Sequence, residues 1–298
     1  MQAAIRVPGA SAKIDTRMNT ETFKDLACPL DGSPLYRDGI ALRCASGDTF
    51  DIASQGYVNL LPVQKKRSLD PGDSKLMVEA RRRFLNAGHY APIAAAVSRT
   101  VMSDLTATTP TVCLDAGCGE GYYLRQLAAA AQADGVPLAL LGLDISKWAV
   151  LAAAKQQKQA TWVVGSNASL PVMPATIDRV LCLFGFPVYP EFARVLKPGG
   201  FLLQVDAGPD HLRELREIIY PTLKPARTAT APTPSGFASA DSETLRFGVK
   251  ITGTEPIADL LAMTPHLYRA SAEGRARAAE LTEISLTIDV RLQRLVRR

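Results

Sequence analysis

The clearest pattern in the chain is an alternation of short apolar runs with amphipathic segments, which begins near residue 110. The apolar runs predict five strands, with the sequences TVCLDA, LALLGLD, TWVVG, DRVLCLF and FLLQVD. Helices are predicted between them at residues 122–133, 147–157 and 191–196. Because this alternation is typical of βαβ units, it predicts an α/β domain with a doubly wound parallel sheet.

The pattern changes on both sides of this region. Past residue 221, the runs LRFGVKITG and EISLTIDVRLQRL predict two further strands, antiparallel at the sheet edge, with a helix over PIADLLAM between them. Near the N-terminus, residues 23–61 are short, turn-rich and strand-like, and they predict a small β module. Residues 74–87 carry apolar positions near helical spacing and predict a helix.

These patterns divide the chain into four parts. Residues 1–22 have no apolar block of signal-peptide length and are interpreted as a disordered extension. The β module over residues 23–61 is followed by a basic linker over residues 62–73, which contains Pro62, Pro71 and Gly72. The large α/β domain then occupies residues 74–298.

Composition restricts the class of protein. With 298 residues, 47% hydrophobic and 21% charged, the chain is predicted to form a packed core rather than a disordered or fibrous protein. No run of about 18 apolar residues is present, so we expect a soluble protein without a membrane partner. The five cysteines are too scattered for a secreted disulfide framework, which favours a reducing, cytoplasmic location.

The net charge of +5 is concentrated in one segment. Residues 64–84 hold seven basic and three acidic side chains. A charge run of this kind more often marks a solvated face than a binding site, so by itself it is a weak indication of a polyanionic partner.

A glycine-rich loop, DAGCGEG at residues 115–121, closes a predicted strand and opens a predicted helix. Its acid followed by GxGxG differs from the GxGxxG of dinucleotide-binding folds. Asp144 ends the next strand, 23 residues after Gly121, where its carboxylate can accept hydrogen bonds from both hydroxyls of a ribose. Together with the KPGG turn before FLLQVD, these features resemble the class I S-adenosylmethionine-dependent methyltransferases, which have a Rossmann-like doubly wound sheet.

The resemblance implies that S-adenosylmethionine is the cofactor. Asp115 would help to hold its methionine end beside Gly117, Gly119 and Gly121, and Asp144 would take the adenosine ribose. Methyltransferases that modify exocyclic base amines often carry Asn or Asp, then Pro-Pro and an aromatic residue, after the fourth strand. This chain has FGFP there, at residues 184–187, so an exocyclic amine is disfavoured as the acceptor.

A narrower resemblance extends over about residues 23–270. The segments GYVNLLPVQ and DPGDS, with CPL, ARRRFLNAGHY, GPDHLRELREIIY and MTPHLYRA, resemble the bacterial 23S rRNA guanine-N1 methyltransferases. This resemblance implies methyl transfer to N1 of a guanine in a hairpin loop of large-subunit ribosomal RNA. It also implies cofactor contacts at Tyr90, Gly119, Glu120 and His211.

That family has a zinc ribbon with Cys-x2-Cys and Cys-x3-His ligands. The corresponding residues here are Cys28, Asp31, Cys44 and Asp48, so the module is zinc-ribbon-like with a degenerate ligand set. Structural zinc sites are built overwhelmingly from Cys and His, and we therefore do not expect tight zinc binding.

The resemblance also suggests how RNA is bound and methylated. The predicted phosphate-binding side chains are Lys65, Lys66, Arg67, Arg81, Arg82 and Arg83. The target guanine must leave its stack, and Phe184 or Phe186 is expected to stack on it. No residue stands out as the base that removes the N1 proton; Asp206, Asp210 and solvent are the candidates.

Two other functions stay open from the sequence. A class I methyltransferase of a small aromatic metabolite would have apolar helices before the core, where this chain has a β module and a basic linker. A non-catalytic RNA-binding protein that keeps the cofactor fold would explain the degenerate zinc ligands, but the intact glycine loop and Asp144 argue against it. The sequence also leaves open whether two chains form a homodimer.

Overall fold

The computed structural model describes residues 20–65, 68, 70–105, 109–223 and 232–298, with the backbone alone at 20, 21 and 65. Most of the predicted N-terminal extension therefore lies outside the described residues. So do Lys66 and Arg67 of the predicted linker, together with the side chain of Lys65.

Twelve strands and nine α-helices occur within the described residues. The strands are β1 (Thr20–Glu21), β2 (Tyr36–Asp38), β3 (Ala41–Arg43), β4 (Thr49–Asp51), β5 (Tyr57–Asn59), β6 (Thr111–Ala116), β7 (Leu138–Asp144), β8 (Thr161–Val164), β9 (Ile177–Leu183), β10 (Leu196–Ala207), β11 (Phe237–Thr252) and β12 (Glu283–Arg297). The helices are α1 (Lys75–Asn86), α2 (Ala91–Met102), α3 (Tyr122–Ala133), α4 (Lys147–Gln156), α5 (Tyr189–Val195), α6 (Arg213–Ile219), α7 (Thr254–Ala262), α8 (His266–Arg269) and α9 (Ala272–Ala279). A 3-10 turn covers Val63–Lys65.

The main sheet has the strand order β11-β12-β10-β9-β6-β7-β8-β5, and β1 also pairs with β7. Strands β5 to β10 in this sheet run parallel to one another, whereas β12 is antiparallel to both β10 and β11. The predicted doubly wound sheet with an antiparallel edge is therefore confirmed. Helices α3, α4 and α5 follow β6, β7 and β9. Because these strands are parallel, their carboxyl ends meet at one edge, where ligands bind in open α/β sheets.

Local sequence explains where the helices around this edge begin. Ser74 caps α1 by accepting a hydrogen bond from the Met77 backbone N–H at 3.4 Å. Helix α3 begins after Gly121, whose φ of 82° lies in the left-handed region. A Cβ at Gly121 would also lie 2.6 Å from the Trp162 ring, so this position requires glycine for its conformation and for packing.

The N-terminal module shares its core with the large domain. Strands β2, β3 and β4 form a small antiparallel sheet, but β5 joins the main sheet parallel to β8, with Tyr57 opposite Trp162. Buried Phe23 and Leu35 belong to the same apolar cluster as Val163 of β8. The module is thus held against the main sheet by backbone pairing and by buried side chains.

No α-helix in the described part of the chain is long and apolar enough to cross a membrane.

Candidate active site

The glycine-rich loop connects β6 to α3 at the carboxyl edge of the sheet, and Asp144 secures it. The Gly119 N–H donates to one Asp144 carboxylate oxygen at 2.9 Å, and the Ser146 N–H donates to the other at 2.8 Å. Each carboxylate oxygen keeps a second lone pair, so Asp144 can still accept two hydroxyl hydrogen bonds. Asp144 is partly exposed, and this geometry suits a ribose.

Asp115 lies beneath this loop and has no hydrogen-bond partner. Its side chain is 1% exposed, and both carboxylate oxygens are buried without a donor. Burial, with the negative charge of Asp144, raises the pKa of Asp115 to about 8. A buried carboxyl group without a partner is costly, and a ligand that brings a cation to this position would stabilise its ionised form.

Tyr90 and His211, which are 121 residues apart, meet over the same edge. The Tyr90 hydroxyl lies 3.2 Å from His211 Nε2, and the Asp289 N–H donates to His211 Nδ1 at 3.3 Å. Because Nδ1 accepts, Nε2 carries the proton and donates to the Tyr90 oxygen. Burial lowers the pKa of His211 to about 4, so the ring is neutral at pH 7.

Phe184 completes an aromatic group with these two residues. Its ring centroid lies 5.8 Å from that of His211 and 6.2 Å from that of Tyr90, and its φ is 54°. It is 39% exposed, so a face of the ring remains open to a ligand, whereas Phe186 is 88% exposed beyond the group. Of the two predicted stacking residues, the structure brings only Phe184 to Tyr90 and His211.

The Glu120 side chain is buried and paired within the protein, whereas a ligand-binding side chain would face an open site. Its carboxylate is 1% exposed, lies 3.0 Å from the Arg125 guanidinium and accepts a hydrogen bond from Gln156 at 2.8 Å. Burial raises the pKa of Glu120, while Arg125 and Gln156 act in the opposite direction. The Arg125 guanidinium also donates to the Glu120 carbonyl at 2.7 Å, so both the side chain and the carbonyl of Glu120 anchor α3 to α4 rather than facing a ligand.

The two candidate bases, Asp210 and Asp206, differ in the hydrogen bonds and ion pairs that hold their carboxylates. Asp210 forms ion pairs with Arg213 at 3.0 Å and Arg246 at 2.8 Å, and the hydrogen bonds from these guanidinium groups lower its pKa. A carboxylate with a lowered pKa is a weaker base. Asp206 is exposed and accepts one hydrogen bond from Gln204 at 2.7 Å.

The predicted RNA-binding arginines of α1 have three different environments. Arg83 is paired with Asp259 through two hydrogen bonds, at 2.8 and 2.5 Å. Arg81 is turned toward the glycine loop, where a Cβ on Gly119 would lie 3.5 Å from its Nη1. Arg82 and Arg83 are both exposed, but Arg83 is held by Asp259, so Arg82 is the better candidate for contact with RNA phosphates.

Two polar residues of the site have no obvious sequence signal. Asn167 donates to the Ala116 carbonyl at 3.1 Å and leaves its own oxygen buried without a partner. Asp289 is 3% exposed and accepts a hydrogen bond from the Asp210 N–H at 3.0 Å, which orients the turn that carries His211. The only indication of Asp289 in the sequence is one acid among the alternating apolar residues of β12.

The four degenerate zinc-ligand residues do lie together in the module. One ligand atom from each of Cys28, Asp31, Cys44 and Asp48 lies within 4.8 Å of the others. However, Asp31 already accepts hydrogen bonds from the Ser33 hydroxyl at 2.7 Å and the Ser46 hydroxyl at 2.6 Å. Two thiols and two hydrogen-bonded carboxylates do not match the Cys and His set of a structural zinc site.

The strand order, the glycine loop after β6 and the carboxylate that ends β7 define a class I S-adenosylmethionine-dependent methyltransferase. Residues 113–200 match the family described as "Methyltransferase domain". The unpartnered Asp115 and the open lone pairs of Asp144 fit the ammonium and the ribose of that cofactor.

The remaining comparisons identify the family. Residues 26–69 match the zinc-ribbon family described as "RlmA, N-terminal". The 23S rRNA (guanine(748)-N(1))-methyltransferase of Streptomyces fradiae is 34% identical over 91% of this chain and 97% of its own. A Micromonospora griseorubida protein provisionally named for the same type of reaction is 35% identical over 93% of this chain and 99% of its own. This chain belongs to the family of 23S rRNA (guanine-N1)-methyltransferases.

Proposed function

We propose that this chain transfers a methyl group from S-adenosylmethionine to N1 of a guanine in a hairpin loop of 23S ribosomal RNA. The observation that carries the proposal is the combination of full-length similarity to the Streptomyces fradiae enzyme with an intact cofactor loop. Small-metabolite methylation and non-catalytic RNA binding lack a comparable relative among the full-length matches given above.

Different side chains of the site bind the cofactor and the target guanine. S-adenosylmethionine supplies a sulfonium methyl group that is already activated for transfer. Asp144 binds the ribose, Asp115 faces the ammonium group, and the Tyr90–His211 pair forms a wall of the pocket. Phe184 stacks on the extruded guanine, and this fixes N1 in line with the methyl group.

Loss of the guanine N1 proton does not require a strong base in this site. Asp210 is held by two arginines, so proton transfer falls to Asp206 or to solvent. Most of the rate acceleration is then expected from holding the nucleophile and the methyl group in near-attack geometry.

The N-terminal parts position the RNA. The module over residues 23–61 recognises the RNA hairpin, and the basic linker over residues 62–73 binds its phosphates, together with exposed Arg82. The catalytic domain over residues 74–298 receives the extruded base. A cytoplasmic location follows from a ribosomal RNA substrate.

The reaction is tested on 23S rRNA from cells that lack the gene. We expect the purified protein and S-adenosylmethionine to produce 1-methylguanosine, without N2-methylguanosine, as measured by mass spectrometry of digested RNA. Nuclease mapping then locates the nucleotide, with position 748 of the Streptomyces fradiae relative's name as the first to compare. The control is Asp144→Ala, which should form no product at the same cofactor concentration.

Three other outcomes of this experiment would contradict the proposed reaction or support one of the alternative functions. Methylation of guanine at another atom would contradict the proposed acceptor. RNA binding without product would support the non-catalytic alternative, and methyl transfer to a small aromatic molecule but not to RNA would support the metabolite alternative.

A further inference from the structure

Arg81 is held at the glycine loop by contacts from three parts of the chain. Its Nη1 forms an ion pair with Asp73, and its Nη2 donates to the Met263 carbonyl at 2.9 Å. The same guanidinium lies next to Gly119, and its side chain is 26% exposed. This arginine therefore points into the molecule, while its neighbour Arg82 faces solvent.

Tyr123 provides a second polar group at the glycine loop, four residues after Gly119. It lies in the first turn of α3 and is 9% exposed, and its hydroxyl is buried without a hydrogen-bond partner. Burial raises the pKa of Tyr123, the nearby charge of Asp115 raises it further, and the charge of Arg81 lowers it. Tyr123 thus presents an unpartnered hydroxyl in the helix turn that directly follows the glycine loop, beside which the Arg81 guanidinium lies.

These groups have the complementary chemistry that an amino-acid zwitterion requires. An ammonium group is stabilised by a carboxylate, and a carboxylate is stabilised by a guanidinium and by hydroxyl donors. Asp115 and Tyr123 are buried polar groups without partners, so a ligand that satisfies both would gain their full hydrogen-bonding energy.

We propose that Arg81 and Tyr123 bind the carboxylate of the cofactor's methionine end, opposite the ammonium group that Asp115 faces. The proposal rests on S-adenosylmethionine as the cofactor and assigns Arg81 to cofactor binding rather than to RNA phosphates. In the free protein, Asp73 neutralises Arg81. When the cofactor binds, its carboxylate pairs with the Arg81 guanidinium, either together with Asp73 or in place of it.

The test compares three ligands by calorimetry on the full-length protein. S-adenosylmethionine has the carboxylate, decarboxylated S-adenosylmethionine lacks it but keeps the ammonium, and 5′-methylthioadenosine lacks both. We expect Arg81→Ala to weaken S-adenosylmethionine binding about 10- to 100-fold, as for the loss of a charge-assisted hydrogen bond. Binding of the two ligands without a carboxylate should be unchanged. Tyr123→Phe should give the same selectivity with a smaller loss, about 3- to 10-fold.

Arg82→Ala is the matched control, because it removes an adjacent arginine of the same helix. It should leave the affinity for all three ligands unchanged. If Arg81→Ala weakens all three ligands equally, Arg81 only holds the loop in place and the proposal is wrong. No loss for any ligand would also overturn it.

The wild-type protein gives an independent result if Arg81→Ala does not fold. It should bind decarboxylated S-adenosylmethionine about 10- to 100-fold more weakly than S-adenosylmethionine. Equal affinity for the two would overturn the carboxylate assignment and leave the proposed function intact. Failure to bind either one would contradict the proposed function itself.

Discussion

Asp115 is a single residue whose protonation depends on what binds beside it. In the free protein, burial and the charge of Asp144 raise its pKa to about 8, so the neutral acid predominates at pH 7. A bound ammonium group favours the ionised form. Cofactor binding near neutral pH should therefore release a proton from Asp115, and cofactor affinity should increase as the pH rises toward 8.

The same residue makes the stability of the free protein depend on pH. An unfolded Asp has a pKa of about 3.9, so the folded state holds this proton more tightly than the unfolded state does. The stability present below about pH 4 is lost as the pH rises to about 8. We expect Asp115→Asn to be more stable than the wild type by a margin that grows by at least about 1 kcal/mol between pH 5 and pH 8.

Thermal melts without cofactor at these two pH values measure the margin. For domains of about 150 to 250 residues, 1 kcal/mol corresponds to a shift in Tm of about 2 to 4 °C, and we expect the lower end of this range for this longer chain. A margin that is the same at both pH values would show that Asp115 is ionised in the folded protein.

Residues of the site could be predicted where their role depends on adjacent sequence. Asp115, the loop glycines and Asp144 stand at fixed distances from the ends of predicted strands, and the structure places them at one edge. Asp289 and Tyr123 could not be predicted in the same way. Their roles depend on contacts with residues far along the chain, and Asp289 meets His211 across 78 residues.

At the scale of elements, buried strands were easier to predict than exposed ones. Strands β6 and β7 have the predicted bounds because both of their faces are buried and their sequences are almost continuously apolar. The sequence predicts that β11 begins at residue 245, but in the structure this strand begins at Phe237. Most of this added length is exposed and polar, and it is held by pairing with β12, so it has no apolar pattern.

The module is an element whose folding should not depend on metal. Its core contains Phe23 and Leu35, and β5 pairs with β8, so contacts other than a zinc site hold it. We expect protein purified without added metal to contain much less than one zinc per chain by elemental analysis. A chelator should leave its melting temperature unchanged.

The double variant Asp31→Cys with Asp48→His is the positive control, because it restores the ligand pattern of the family. It should take up about one zinc and lose stability when zinc is chelated. Stoichiometric zinc in the unchanged protein would show instead that the two aspartates are ligands.

For the whole molecule, the placement of charge predicts how RNA binding responds to salt. Lys65, Lys66 and Arg67 lie in the basic linker, and phosphate contacts of this kind release counterions. Replacing all three with Ala should weaken RNA binding and reduce the slope of log affinity against log salt by about two to three. Filter binding at several salt concentrations measures the slope, and calorimetry should show unchanged affinity for S-adenosylmethionine. An unchanged slope would show that the linker is solvated and does not contact RNA phosphates.

The pairing of β5 with β8 has a consequence for synthesis of the chain. Tyr57 pairs opposite Trp162, so the partner strand is made 105 residues later. At about 5 to 20 residues per second, the β5 segment waits about 5 to 20 s on the ribosome before it can pair. During that time its backbone groups are open to any other strand edge. The sheet of this protein can therefore close at its β5 edge only after the residues of β8 have left the ribosome.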